Sequence, residues 1–139
     1  MLKVENFTVS YGHVRAVKGI SFEVAKGEIV TIIGANGAGK SSTVNGLAGI
    51  VESGGRVEFD GHDISRMPNY ARVSKGLTLC PEGRHIFPEL TVDENLRMGS
   101  YRRGSYSNGL GLVHDLFPVL KERKNQVSGY LSGGEQQML

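Results

Sequence analysis

Gly34-Ala35-Asn36-Gly37-Ala38-Gly39-Lys40-Ser41 matches the pattern G-x-x-x-x-G-K-[ST] and follows directly on the apolar run Ile29-Val30-Thr31-Ile32-Ile33. A short β-branched run of this kind predicts a buried parallel strand, and Val44, Leu47 and Ala48 at i, i+3 and i+4 predict a helix behind the loop. A triphosphate carries dense negative charge, and such a loop meets it with inward backbone N–H groups, a helix N-terminus and one long cation. Glycine is required where the backbone takes positive φ or approaches phosphate closely, which suits Gly34, Gly37 and Gly39. Lys40 is placed to reach the β- and γ-phosphates, Ser41 to ligate Mg²⁺, and Ser42 to add a phosphate hydrogen bond. A Gly-rich turn that binds nothing is the plainer alternative, and the strand and helix around the pattern weigh against it.

Composition sets the frame. The 139 residues are enough for one core, and the apolar share of 39% is ordinary for a globular domain. A net charge of +2 is a slight excess rather than a basic patch, so charge does not point to nucleic acid. Cys80 is the only cysteine and lies in the apolar run Leu77-Thr78-Leu79-Cys80, which excludes a disulfide framework and predicts a buried thiol in a reducing, cytoplasmic setting. No apolar run approaches the roughly 18 residues of a spanning helix. His13, His62, His85 and His114 lack metal-ligand spacing and are expected at the surface or in loops.

Ahead of the loop, residues 2–9 alternate apolar and polar as a half-exposed strand, with Phe7 at a bulge, and two short strands follow at 15–17 and 20–24. Together they predict an antiparallel sheet beside a nucleotide-binding core. Tyr11 ends the first strand; an aromatic ring there can stack on a base, although spacing alone favours a surface tyrosine. Behind the loop, Gly49 suits the end of the helix and Gly46 weakens its interior. Residues 53–55 read as a loop, 56–59 as a strand and Asp60-Gly61 as a hairpin turn. A helix is expected from near Pro68 to Lys75, with Gly76 as its cap, and a second buried strand over 76–80, ended by Pro81. Thr91-Val92-Asp93-Glu94 is a capping box opening a helix to about Met98. Residues 99–111 read as a loop with Arg102 and Arg103 solvated, and Leu112, Val113, Leu116 and Phe117 show helical spacing. The shift in character after Leu90 divides the chain into residues 1–90 and 91–139.

Leu131-Ser132-Gly133-Gly134-Glu135-Gln136 closes the sequence of motifs. Ser132 and Glu135 form a second capping box, which explains the helix start by itself but not two glycines in its first turn.

A phosphate loop followed at a distance by Leu-Ser-Gly-Gly-Glu-Gln resembles the ATP-binding-cassette (ABC) ATPases, over the whole chain. The resemblance implies an α/β P-loop NTPase core with an antiparallel β subdomain and a partial helical subdomain, in truncated form. It implies that Tyr11 stacks on adenine and that Asn36, Gly37, Ala38, Gly39, Lys40, Ser41 and Ser42 hold ATP and Mg²⁺. Glu82 stands where the family usually has a glutamine, in a loop contacting both the metal site and the membrane domain. Ser132, Gly133, Gly134 and Glu135 form the signature that closes on ATP held by the opposite subunit. The run from Pro81 through Glu94-Asn95-Leu96 looks like the ATP-binding subunits of branched-chain amino acid importers. The implied partners are transmembrane permease subunits, a second ATP-binding subunit and, indirectly, an extracytoplasmic solute-binding protein, with placement on the cytoplasmic face of the membrane and no nucleic acid.

Two departures qualify the match. A glutamate at 82 binds Mg²⁺ through water but donates no amide hydrogen bond. The sequence also stops at Leu139, before the Walker B strand, the catalytic glutamate and the switch histidine, so the expectation is nucleotide binding without hydrolysis by this stretch alone. The rival readings are a soluble cassette protein acting on nucleic acid and a non-catalytic interaction module.

Overall fold

The computed structural model describes residues 1–83, 85–100 and 106–139. Arg84 and the expected solvated pair Arg102 and Arg103 lie outside the described residues. Two compact units are formed, Met1–Leu79 and Cys80–Leu139.

The first unit is built on a four-stranded antiparallel sheet of order β2-β1-β3-β4, where β1 is Leu2–Tyr11, β2 is Val14–Val24, β3 is Ser53–Phe59 and β4 is His62–Asp63. Val4, Phe7 and Val9 of β1 are all buried although strict alternation would put residues 4 and 7 on opposite faces. A bulge resolves the conflict: both ladders slip between Val4 and Thr8, and Asn6 takes a φ of 49°. Gly55 lies against this bulge, where a Cβ would sit 2.4 Å from the Asn6 carbonyl oxygen. Residues 53–55, expected as a loop, are therefore strand. The two short strands expected at 15–17 and 20–24 are one, which continues through a slip in register at Gly19, where φ is 106°. Asp60 and Gly61 both have positive φ, as a two-residue hairpin turn requires.

Helix α1, Lys40–Leu47, covers the buried sheet face. Its buried residues are Thr43 and Gly46, its Leu47 packs against the core, and Val44 is exposed. Gly46 sits so close to the sheet that a Cβ would lie 2.8 Å from Val9 Cγ2 and 3.0 Å from Phe7 Cζ, which offsets the cost of glycine in a helix, up to about 1 kcal/mol. Helix α2, Asn69–Ser74, follows Pro68, as expected. Its Arg72 is 3% exposed and faces carbonyls only. It donates to Gly46 O at 3.0 Å, Leu47 O at 2.7 Å, Met67 O at 2.7 Å and Ser65 O at 3.1 Å. The guanidinium thus serves the C-terminal carbonyls of α1, where helix geometry leaves acceptors unpaired and the dipole favours a cation. Burial pushes its pKa down, and a guanidinium stays protonated in proteins.

Two strand expectations fail. Residues 29–33 and 76–80 pair with no strand among the described residues. Ile29 and Ile33 are 95% and 89% exposed, and Cys80, expected as a buried thiol, is exposed. The β-branched composition is right for a strand, but a strand exists only where a neighbour completes its ladder. The observed sheet is wholly antiparallel.

The second unit holds α3 (Val92–Ser100), α4 (Ser107–Leu116), α5 (Pro118–Glu122), a 3₁₀ turn (Ser128–Tyr130) and α6 (Gly133–Met138). Val92, Leu120 and Leu131 form its core, with Leu96, Val113, Phe117, Val119 and Leu139 packed around them. Helix α4 runs through residues 107–111, where Gly109 and Gly111 had suggested a loop; packing of Val113 and Phe117 overrides propensity there. Its His114 is half-buried rather than at the surface. The segment 81–90 belongs to this unit, whereas the sequence reading had assigned it to the first; its carbonyls are bonded by residues of the second.

Replacing Arg72 with Met is expected to lower the stability of the chain by about 3 kcal/mol, because it leaves buried carbonyls without a donor. Urea unfolding monitored by circular dichroism checks this. Arg72→Lys should recover little of the loss, since an ammonium cannot reproduce the fork; an unchanged midpoint for Arg72→Met would show that these bonds do not hold the unit together.

Candidate nucleotide-binding site

The loop from Gly34 to Gly39 enters α1 with no side chain capping the helix N-terminus among the described residues. Gly37 and Gly39 have φ of 84° and 88°, in the left-handed region. Gly39 is constrained twice, since a Cβ there would fall 2.6 Å from Ala16 O and 3.2 Å from Val17 Cγ2 of β2. Gly34 does not need its backbone freedom; a Cβ would instead meet the Ala38 Cβ at 3.0 Å. Behind the loop, Thr43 donates from N and from Oγ1 to Gly39 O, each at 2.8 Å. Ala16, Val17 and Thr43 are thus the supports of the loop that sequence reasoning missed. A threonine three residues after the lysine is their only local signal.

Lys40 folds back over its own loop. Its Nζ donates to Gly34 O at 2.8 Å and Ala35 O at 2.9 Å. A phosphate oxygen is a stronger acceptor than either carbonyl, because a charge-assisted hydrogen bond is shorter and roughly twice as strong. The lysine is therefore held at the loop by bonds it can exchange. Ser41 is exposed and Ser42 half-buried in the first turn of α1, and Asn36 is exposed at the loop tip. Positive-φ glycines, a helix start and one ammonium fit a chain of phosphates. No group of three His, Cys, Asp or Glu side chains suitable for a metal occurs among the described residues. A hydroxyl such as that of Ser41, with phosphate oxygens and water, is the manner in which Mg²⁺ is commonly held beside a nucleotide.

Tyr11 ends β1, pairs with Val14 across the hairpin turn and is 46% exposed. It and the loop lie in the first unit. Glu82 and the Ser132–Glu135 turn lie in the second. Glu82 is exposed in a turn whose Gly83 has a φ of 87°.

Both expected capping boxes are present. Thr91 N donates to Glu94 Oε2 at 2.8 Å while Glu94 N donates to Thr91 Oγ1 at 3.2 Å. Ser132 N donates to Glu135 Oε2 at 2.7 Å while Glu135 N donates to Ser132 Oγ at 3.3 Å. Glu135 also faces Arg123 Nη2 at 3.4 Å. Hydrogen bonds from the backbone and then the hydroxyl of the capping residue pull both glutamates below their ordinary value of 4.5. A Cβ on Gly134 would meet nothing within 4 Å, so the chain itself imposes no steric need for glycine there.

A glycine loop and a helix carrying lysine and serine at its start make the first unit that of a P-loop nucleotide-binding protein. The family described as ABC transporter matches residues 17–139, and the chain belongs to that family. It is 43% identical over its whole length to the high-affinity branched-chain amino acid transport ATP-binding protein BraG of Pseudomonas aeruginosa, covering 61% of that protein. It is 29% identical, again over its whole length, to the probable branched-chain amino acid transport ATP-binding protein LivF of Archaeoglobus fulgidus, covering 60% of it. Among solved structures, an ATP-binding subunit of an ABC transporter superposes with a TM-score of 0.82 at 26% identity, with 99% of this chain and 58% of that one covered. A nucleotide-free ATP-binding cassette gives 0.74 at 29% identity, with 98% and 60% covered. The chain spans about 60% of the length of the curated relatives BraG and LivF.

Because the folded values of Glu94 and Glu135 are depressed, their contribution to stability is present above the ordinary glutamate value and is lost as pH falls through the folded one. Circular dichroism between pH 6 and pH 2, roughly spanning that window, is expected to show a loss of helix in the wild type below pH 4.5. That acid limb should shrink in the double variant Glu94→Gln, Glu135→Gln; an identical limb would remove the boxes as its source.

Proposed function

We propose that the chain is the nucleotide-binding part of an ATP-binding subunit that powers membrane transport, with branched-chain amino acid uptake as the process served. The observation that carries the reading is Lys40, folded across a glycine loop at the start of α1 by two exchangeable carbonyl contacts. The names of the two relatives support the solute class.

In this reading adenine stacks on Tyr11. Asn36, Gly37, Ala38, Gly39, Lys40, Ser41 and Ser42 surround the phosphates, and the Ser41 hydroxyl ligates Mg²⁺. Two subunits clamp head to tail, so that Ser132, Gly133, Gly134 and Glu135 of one close on ATP held by the other. The open space at Gly134 supports that role, because a ligand can approach the backbone there. The loop containing Glu82 docks on a permease subunit at the cytoplasmic face, and an extracytoplasmic solute-binding protein acts through the permease. Binding, clamping and docking are assigned to these residues. Turning over ATP adds an oriented water, for which no residue is assigned here. Release of the clamp then drives the permease between its inward- and outward-facing states.

Equilibrium titration with a fluorescent ATP analogue and Mg²⁺ tests the site. Lys40→Ala is expected to weaken binding by about tenfold or more, since it removes a charge-assisted contact to phosphate. Unchanged affinity would overturn the assignment.

A further inference from the structure

Residues 85–90 form neither helix nor strand, so their backbone groups must find partners elsewhere. They find them in two side chains and one turn. Asn95 of α3 accepts from Phe87 N at 2.9 Å through Oδ1, and its Nδ2 lies 3.0 Å from each of Phe87 O, Thr91 O and Ser128 Oγ, serving two of them at a time with its two protons. Ser128 is fully buried; its N donates to Leu90 O at 2.9 Å, and its hydroxyl lies 2.9 Å from both Phe87 O and Leu90 O. A hydroxyl has a single proton, so it serves one of those carbonyls at a time while accepting from Asn95. Gly129 N adds a bond to Pro88 O at 2.9 Å, and a Cβ on Gly129 would lie 2.9 Å from the same oxygen.

The opposite side of this turn is occupied as well. Gln136 of α6 donates from Nε2 to Ser128 O at 3.3 Å and Gly129 O at 3.5 Å. Ser128 and Gly129 of the 3₁₀ turn therefore offer their N–H groups and one hydroxyl to the loop after Glu82, and their carbonyls to the helix that Ser132 opens. A purely local role for these bonds would need only the first half.

We propose that Asn95 and Ser128 are positioning residues of a latch that ties the loop following Glu82 to the Ser132–Glu135 turn, so that a partner pressing on the loop displaces the turn with it. The latch rests on the functional reading above for what its two ends touch. Its mechanics rest on the hydrogen bonds alone.

Amide hydrogen exchange by NMR on the full chain tests it. Asn95→Ala is expected to speed exchange at Phe87 and, across the latch, at Leu131 and Glu135 by about tenfold. Gln136→Ala, which leaves the buried bonds of Asn95 and Ser128 intact, is expected to speed exchange at Phe87. The double variant should be less than additive, as for groups in one network. Acceleration confined to the mutated side, in either single variant, overturns the latch. Should Asn95→Ala fail to fold, Gln136→Ala decides alone through Phe87. The readout needs no nucleotide, so an unchanged affinity in Lys40→Ala removes the proposed function and leaves the latch standing, whereas uncoupled exchange removes the latch only.

Discussion

Val4, Phe7 and Val9 reach the same side of the sheet only because β1 slips at Asn6, and α1 packs on the apolar face so formed. Without that slip, Val4 would turn away from the face that Phe7 and Val9 present to Gly46. With it, α1 lies close to the strands, and its first residue emerges where Gly39 backs onto Ala16 and Val17. Arg72 fixes the other end of the helix through its terminal carbonyls. Two close approaches and one buried cation therefore hold the element that carries Lys40, and of the residues that make them only Gly39 belongs to the loop motif.

The features legible in the sequence are those whose rules are local. The loop pattern, both capping boxes, the Asp60-Gly61 turn and the glycine after α1 each depend on residues a few positions apart, and each is found where expected. Features that depend on distant partners were not legible. Residues 29–33 have a strand's composition but no paired ladder among the described residues. Hydrophobic spacing chose Val44 for the buried face of α1, whereas close approach chose Gly46. Gly109 and Gly111 concealed α4 because packing outweighed propensity. Arg72, Asn95 and Ser128 carry no local signal, because nothing nearby in the sequence announces the carbonyls they serve. The stacking role of Tyr11 rests on family resemblance, and its position at an exposed strand end accommodates either reading.

The two units solve the same physical problem by different means. In the first, backbone polar groups are paired mainly by the ladders of an antiparallel sheet. In the second, with short helices and long connections, side-chain amides and hydroxyls take a larger part, as around Phe87, Leu90 and Ser128. A hydrogen-bonded network of that kind is directional, so displacing one member misaligns the others. An apolar contact would tolerate the same displacement with less loss.

The segment 29–33 has a further consequence for the behaviour of the chain in concentrated solution. It is a run of five residues without charge or proline, four of them Ile or Val, and its outer isoleucines are almost fully exposed. Unpaired backbone flanked by such side chains is a template for intermolecular strand addition. Self-association of this chain would thus begin next to the nucleotide loop, and a colloidal property would compete for the same few residues as ligand binding.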